Sequence, residues 1–226
     1  EELDAFAVEC HRRAAAAAAA GHFQKEIVSI PVAQVREKGV DNEAQRFLAD
    51  ETIRPGTAAE KLATLKTSFR PDGRLTAGNS SQISDGAAAL LLMSSTKAAS
   101  MGLKPRARIR AMTTVGSDPT LMLTGPIAAT RKVLAQAGLT LDDIDLFEIN
   151  EAFAPVPMVW MKELGVSAER LNVNGGAIAL GHPLGASGAR IMTSMLHELE
   201  RRGGRYALQA ICCAGGMATA TLIERL

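Results

Sequence analysis

A chain of 226 residues with 25 Lys and Arg against 24 Asp and Glu carries a formal net charge of +1, and 47% of its residues are hydrophobic. That is enough apolar material for a sizeable core in one or two domains, and it excludes a disordered segment. Near-neutral charge with one Trp and one Tyr leaves no basic, aromatic-lined face for nucleic acid. No apolar run approaches the roughly 20 residues needed to span a bilayer as a helix.

In chain order, Leu3, Phe6, Ala7 and Cys10 recur at helical spacing, so residues 3–20 are expected to form a helix stopped by Gly21. The chain opens on Glu1, inside that helix, so its start is expected to be a cut. Ile27 to Val32 is a short strand candidate, and residues 33–56, with Gly39, Pro55 and Gly56, read as loop. Thr57 and Glu60 have capping-box spacing for a short helix through about Leu65. The unbroken apolar run Ala87 to Met93 predicts a strand buried on both faces. A helix from Ser95 to Met101 then ends at Gly102.

The second half alternates. Arg106 to Val115 reads as a strand, Pro126 to Ala137 as a helix closed by Gly138, and Leu146 to Ile149 as a strand. A helix follows from about Ala152 to Leu164, with Pro155 in its first turn. A short strand at Asn172 to Asn174, a glycine-rich loop and a helix to about Arg202 come next. Two closing strands, Tyr206 to Cys213 and Met217 to Ile223, are joined across Gly215 and Gly216. This order predicts an α/β layered fold with a mixed sheet.

The three cysteines (Cys10, Cys212 and Cys213) offer no disulfide framework, which points to a reducing compartment. The four histidines are scattered without metal-ligand spacing, so no metal site is expected. Chemistry concentrates in three stretches. In the first, Asn172 to Gly188, Gly175, Gly176, Gly181, Gly185 and Gly188 let the backbone approach a ligand. His182 is its one group able to act as a base near neutrality, and Pro183 restrains it. The loop lacks the Gly-Lys-Ser/Thr ending of a phosphate-binding P-loop. The second stretch is Asn150-Glu151-Ala152-Phe153, at the end of a strand, where α/β sites gather. Asn150 is equally an ordinary helix cap, a reading that spacing alone favours, and Glu151 reads as structural. The third is Cys212-Cys213-Ala214-Gly215-Gly216, where a thiol precedes backbone donors, although most free cysteines are simply small apolar groups.

Together these stretches resemble the thiolases, acyltransferases that make or split 3-ketoacyl-CoA. The matching motifs are N-E-A-F at Asn150 to Phe153, G-H-P-x-G-x-S-G at Gly181 to Gly188, and the cysteine-to-Gly216 ending. Thr76-Ala-Gly-Asn-Ser-Ser and Asp85-Gly-Ala-Ala look like the family's CoA-binding turn and the strand after it. The resemblance implies a thiolase-like α/β fold with a mixed five-stranded sheet. It divides the chain into the end of a loop domain with the CoA-binding turn (1–80), the last strand and helix of the N-terminal domain (81–104), and a C-terminal domain (105–226). His182 would activate the nucleophilic cysteine and line an oxyanion hole, and Asn150 would hold the water that completes it. Cys212 would be the acid/base at the acetyl α-carbon. Ser81 would touch pantetheine, Met122 and Phe153 the acyl group, and Ala214 and Gly215 would lie at the second oxyanion hole.

Coenzyme A and acyl-CoA would be substrates, with no permanently bound cofactor and no metal, in a cytoplasmic homodimer or homotetramer. Ala214 departs from the glycine many members carry, though its N–H can still donate, and counting from Cys213 would make the motif regular. The ungapped spacing to Glu224 favours Cys212. The family's nucleophile lies upstream of the matching motifs, and Cys10 stands in a helix beyond it. The chain is therefore expected to be a C-terminal portion, inactive alone, whose N-terminal half sits in the same or another chain. A ketoacyl synthase is disfavoured because it would replace this thiol with a second histidine. A non-catalytic acyl-CoA-binding or scaffold half of a two-chain protein is the alternative from another class.

Overall fold

A computed structural model describes residues 1–31 and 46–226. Helix α1 (Glu2–Ala19) buries Ala7, Cys10, His11, Ala14 and Ala17, one stripe at the spacing the sequence predicts. Strand β1 (Ile30–Pro31) pairs antiparallel with β2 (Arg46–Phe47), so β1 is shorter than the run Ile27 to Val32, of which Val32 lies outside the described residues. Of the expected loop 33–56, residues 33–45 also lie outside them. Helix α2 (Ala59–Leu62) starts from Ala58 without a side-chain cap. The Thr57–Glu60 box does not form, because the Thr57 hydroxyl turns back to donate to the Arg54 carbonyl. Ser94 caps α3 (Ser95–Ser100) by accepting from the Lys97 N–H.

The main sheet has strand order β3 (Ala107–Gly116), β6 (Met217–Arg225), β5 (Tyr206–Cys213), β4 (Leu146–Ile149). β3 and β5 run antiparallel to β6, and β4 runs parallel to β5. Among the described residues it is four-stranded, not five-stranded. The place of the expected strand at Asn172 to Asn174 holds a single parallel bridge, Phe147 to Leu171. Extension stops there because Asn172 takes φ +43 and its side chain does the ladder's work instead. Its Oδ1 accepts from the Ile149 N–H and its Nδ2 donates to the Ile149 carbonyl, each at 2.9 Å. The apolar run Ala87 to Met93 is likewise no strand. It has no ladder partner among the described residues, and Leu91 and Leu92 are 80% and 67% exposed.

Helices cover both faces of the sheet. On one side, α4 (Gly125–Ala137) and α5 (Pro155–Leu164) pack Val133, Leu134, Val156 and Trp160 against Phe147, Ile149, Leu208, Ala210 and Leu222. Trp160 is fully buried, donates to the Thr130 hydroxyl at 2.9 Å and lies 5.1 Å from the Phe147 ring. On the other side, α7 (Ser187–Arg202) sets Met195 and Leu199 against Leu146, Ala207 and Ile223. The alternation of a strand thus sends even-numbered β5 residues toward α4 and α5, and odd-numbered ones toward α7. A third cluster joins α1 to Leu62, Ala154 and the short helix α6 (Ala177–Leu180). Glycines close the helices where the sequence places them, with φ +66 at Gly138 and +69 at Gly203.

Candidate active site

Asn150 follows directly on β4, and its N–H continues the ladder to the Ala210 carbonyl. Helix α5 begins only at Pro155, so Asn150 lies too far from the first turn to cap it, and the cap reading is overturned. Its amide Nδ2 turns instead to Nε2 of His182, 3.4 Å away. Asn150 is 2% exposed, and its Oδ1 has no hydrogen-bond partner among the described residues. This leaves one buried acceptor open beside the imidazole.

His182 sits between α6 and α7. Gly181 takes φ +82, and a Cβ there would lie 2.2 Å from the Ser84 hydroxyl, so a side chain is excluded at that turn. The His182 N–H donates to the Gln82 carbonyl. At the ring, Nδ1 lies 2.6 Å from the hydroxyl of Ser187, the first residue of α7, and that hydroxyl donates to the Pro183 carbonyl at 2.9 Å. With its proton committed, the hydroxyl can only accept from Nδ1–H. The proton is thereby fixed on Nδ1, leaving Nε2 with the lone pair that faces Asn150. Burial, with the positive charge of Arg190 adding to it, holds the imidazole below its ordinary pKa, so it is neutral near pH 7. A neutral imidazole with a free, aimed lone pair is a base.

The segment Asn79–Gln82 links the two motifs. The Asn79 carbonyl accepts from Ala154 N–H, Ser81 N–H donates to the Ala152 carbonyl, and Ser80 bridges Phe153, while Gln82 holds His182. Ser81 and Phe153 therefore stand together, and Phe69 meets the Phe153 ring edge-on at 5.6 Å. Met122 closes a turn in which Asp118 accepts from the Thr120 and Leu121 N–H groups, and it holds φ +56. That left-handed conformation costs roughly 1–2 kcal/mol in a non-glycine residue.

The two neighbouring thiols face opposite layers. Cys212 is the last even-numbered residue of β5 and lies in the cluster that Phe153 and Leu123 pack against. Burial pushes its thiol up to about 11. Cys213 is half-buried on the α7 side. Neither sulfur makes a hydrogen bond to His182 among the described residues. Ala214 and Gly215 occupy an exposed turn, with Gly215 at φ +78. Cys10 is 3% exposed and donates its thiol to Glu151 at 3.0 Å, and burial followed by that carboxylate raises its pKa well above the ordinary value. A thiol so held is no ready nucleophile.

The sequence did not single out Ser187 or Gln82 as individual residues. The spacing of His182 and Ser187 is the one signal available for Ser187, since a loop entering a helix brings residues five apart into reach. Among the described residues no group of His, Cys, Asp and Glu could hold a metal ion, and no helix is long and apolar enough to cross a membrane.

Comparison with known proteins settles the family. The model of the thiolase C-terminal domain matches residues 103–225, and that of the thiolase N-terminal domain matches residues 1–96. The chain belongs to the thiolase family. All of it aligns with the acetyl-CoA acetyltransferase of Chromobacterium violaceum at 50% identity and with a steroid 3-ketoacyl-CoA thiolase of Mycobacterium tuberculosis at 51%. It covers 56% and 53% of those proteins, so this thiolase chain spans little more than half their length. The crystal structure of the Bacillus anthracis acetyl-CoA acetyltransferase superposes with a TM-score of 0.91 at 43% identity, over 100% of this chain and 56% of that one. Human mitochondrial 3-ketoacyl-CoA thiolase in complex with CoA gives 0.90 at 40%, over 100% of this chain and 55% of that one.

Proposed function

We propose that the protein carrying this chain transfers acyl groups between CoA thioesters, forming or cleaving 3-ketoacyl-CoA, and that this chain supplies the base, the oxyanion donors and the acid/base thiol. The observation that carries the reading is the pairing of His182 Nε2 with the Asn150 amide, 3.4 Å away, while Nδ1 is engaged by the Ser187 hydroxyl at 2.6 Å. His182 takes the proton of a nucleophilic cysteine outside the three described here. The thiolate adds to the thioester carbon, and the new Nε2–H, with a water held at Asn150, stabilises the oxyanion. CoA then leaves with that proton, and the acyl group stays on the nucleophile.

Cys212 serves the second half-reaction. Its thiol gives its proton to His182, neutral again once CoA has left, and the thiolate so formed removes the α-proton of acetyl-CoA. The resulting carbanion attacks the acyl group, and the released nucleophile takes back the proton from Nε2. In the reverse direction the Cys212 thiol returns the proton. A thiol raised to about 11 is protonated near neutrality, as an acid must be, and its thiolate is a strong base. Ser81 touches the pantetheine arm, Met122 and Phe153 line the acyl group, and Ala214 and Gly215 offer the second set of N–H donors. On this reading the chain divides into the end of a loop domain (1–80), the last strand and helix of the N-terminal domain (81–104) and the C-terminal domain (105–226). Coenzyme A and its esters are the substrates, no cofactor or metal resides in the site, and the protein works in the cytoplasm as a homodimer or homotetramer.

Acyl-enzyme formation from acetyl-CoA, followed by mass spectrometry, and thiolysis of acetoacetyl-CoA test the reading in the full protein that carries this chain. Both are expected, with His182→Ala losing both. One oxyanion donor alone is worth about 10²–10³ in kcat. Normal turnover by a folded His182→Ala variant overturns it.

A further inference from the structure

The buried carboxylate next to Asn150 has no part in that chemistry. Glu151 is 1% exposed, yet it is surrounded by donors from three separate parts of the chain. Oε1 accepts from Asn172 Nδ2 at 2.7 Å, and Oε2 accepts from the Cys10 thiol at 3.0 Å and from the Ile178 N–H at 3.1 Å. The Cys10 sulfur in turn accepts from the Gly176 N–H at 3.2 Å. Asn172, Cys10 and Ile178 each donate to a carboxyl oxygen; burial raises the Glu151 pKa above its ordinary value, and the donors with Arg190 oppose that rise. The fit is close. A Cβ at Gly176 would lie 2.1 Å from the Glu151 carboxyl carbon, and one at Gly175 would lie 2.7 Å from Ala14 Cβ.

Both arms of the Asn150–His182 contact end on this carboxylate. On one arm, Asn150 is its chain neighbour, and the preceding Ile149 is clamped at N–H and carbonyl by the same Asn172 that donates to Glu151. On the other arm, Ile178 lies in the single turn of α6, which runs into Gly181 and His182. The Ile178 carbonyl also accepts from Gln82 Nε2, and the Gln82 carbonyl accepts from the His182 N–H. A shift of Glu151 therefore moves Ile178 and Ile149 independently, and the 3.4 Å contact lies between them.

We propose that Glu151 is a positioning residue for the Asn150–His182 pair, with Asn172 and Cys10 as its supports. Glu151 touches no reacting atom. Its carboxylate sets the separation and angle of the two groups that do, and a misplacement of about 1 Å can cost roughly 10² in rate. The proposal rests on the acyl-transfer reading for its kinetic consequence, not for its structural one.

The test uses the full protein that carries this chain, with ring-nitrogen NMR of His182 and acyl-transfer kinetics on Glu151→Gln, Cys10→Ala and Cys10→Ser. Glu151→Gln keeps the shape but turns an NH2 toward a donor. Its His182 ring resonances should shift, and kcat should fall roughly 10–100-fold with KM changed less than about threefold. Cys10→Ser keeps both a donor to Glu151 and an acceptor for Gly176, so it should restore the wild-type ring signals that Cys10→Ala disturbs. Unchanged His182 resonances in folded Glu151→Gln overturn the proposal. Should that variant not fold, indistinguishable ring signals in Cys10→Ala and Cys10→Ser overturn it. If the protein transfers no acyl group at all, the acyl-transfer reading fails while the ring signals still decide the role of Glu151.

Discussion

The Ser187 hydroxyl stands 2.6 Å from Nδ1 of His182 and spends its own proton on the Pro183 carbonyl. That relationship fixes which ring nitrogen is the base, and it can be broken without touching Nε2. Ser187→Ala should leave the fold intact, since the residue is small and opens a helix. It should let the imidazole sample the other tautomer. Loss of a hydrogen bond worth about 1 kcal/mol predicts a fall in acyl transfer of roughly five- to tenfold. Nitrogen NMR should show mixed protonation of the two ring positions. A single Nδ1–H tautomer in the variant contradicts the assignment.

His182 is held below its ordinary 6.5 first by burial and then by Arg190. The unfolded chain therefore takes up this proton at a higher pH than the folded one. Stability from this group is fully present above pH 6.5 and is lost as pH falls from there toward the folded pKa. Arg190→Met should raise the His182 midpoint, and the acid limb of the rate profile should move up with it. An NMR titration of His182 in both proteins measures the shift. A midpoint that stays put, or falls, removes Arg190 from the account.

Glu148 gives the opposite sign. It lies on β4 beside Gln209 of β5, and burial raises it from 4.5 to about 8, with Arg190 opposing and Glu151, Glu26 and Glu198 adding. The folded protein keeps this proton where the unfolded chain has lost it. Its stability contribution is present below pH 4.5 and drains away as pH rises toward 8. Glu148→Gln should gain on the wild type across that window by a few kcal/mol at most. Denaturant unfolding of both proteins at several pH values checks this, and a difference independent of pH refutes the buried, protonated state.

Much of this architecture is legible in the residues. Strand β4 (Leu146–Ile149) and strand β5 (Tyr206–Cys213) have their predicted bounds, because each is a short, mostly apolar run bounded by polar residues or a glycine turn. Helices α4 and α7 end where Gly138 and Gly203 supply positive φ. What stayed hidden depended on distant partners. Ala87 to Met93 has strand composition, but a ladder needs a neighbour that local sequence cannot supply. Asn172 looked extended, whereas its side chain replaces the ladder. Asn150 looked like a cap until α5 began at Pro155, which freed its amide for His182. The thiolase motifs located the site because they mark side chains, while the hydrogen bonds that aim those side chains come from Gln82, Ser187 and Asn172.

The neighbouring thiols allow the sharpest test, because the strand sends them to opposite layers. Cys212 packs with the cluster that holds Phe153, and its thiol is raised to about 11, so it should resist iodoacetamide near pH 8 while half-buried Cys213 reacts first. The same geometry assigns the chemistry. In the full protein, Cys212→Ser should slow condensation and thiolysis by roughly 10²–10⁴, the usual worth of an acid/base group, since a serine hydroxyl is a much weaker acid. Acyl-enzyme formation from acetyl-CoA should suffer far less, because that step moves no α-proton. Cys213→Ser should trade a small apolar contact for a hydroxyl and leave both rates near wild type. Deuterium exchange at the acetyl methyl group isolates the proton transfer from the rest of the cycle. If Cys213→Ser abolishes that exchange and Cys212→Ser preserves it, the α7 side of β5 carries the acid/base thiol and the roles of the two cysteines are swapped.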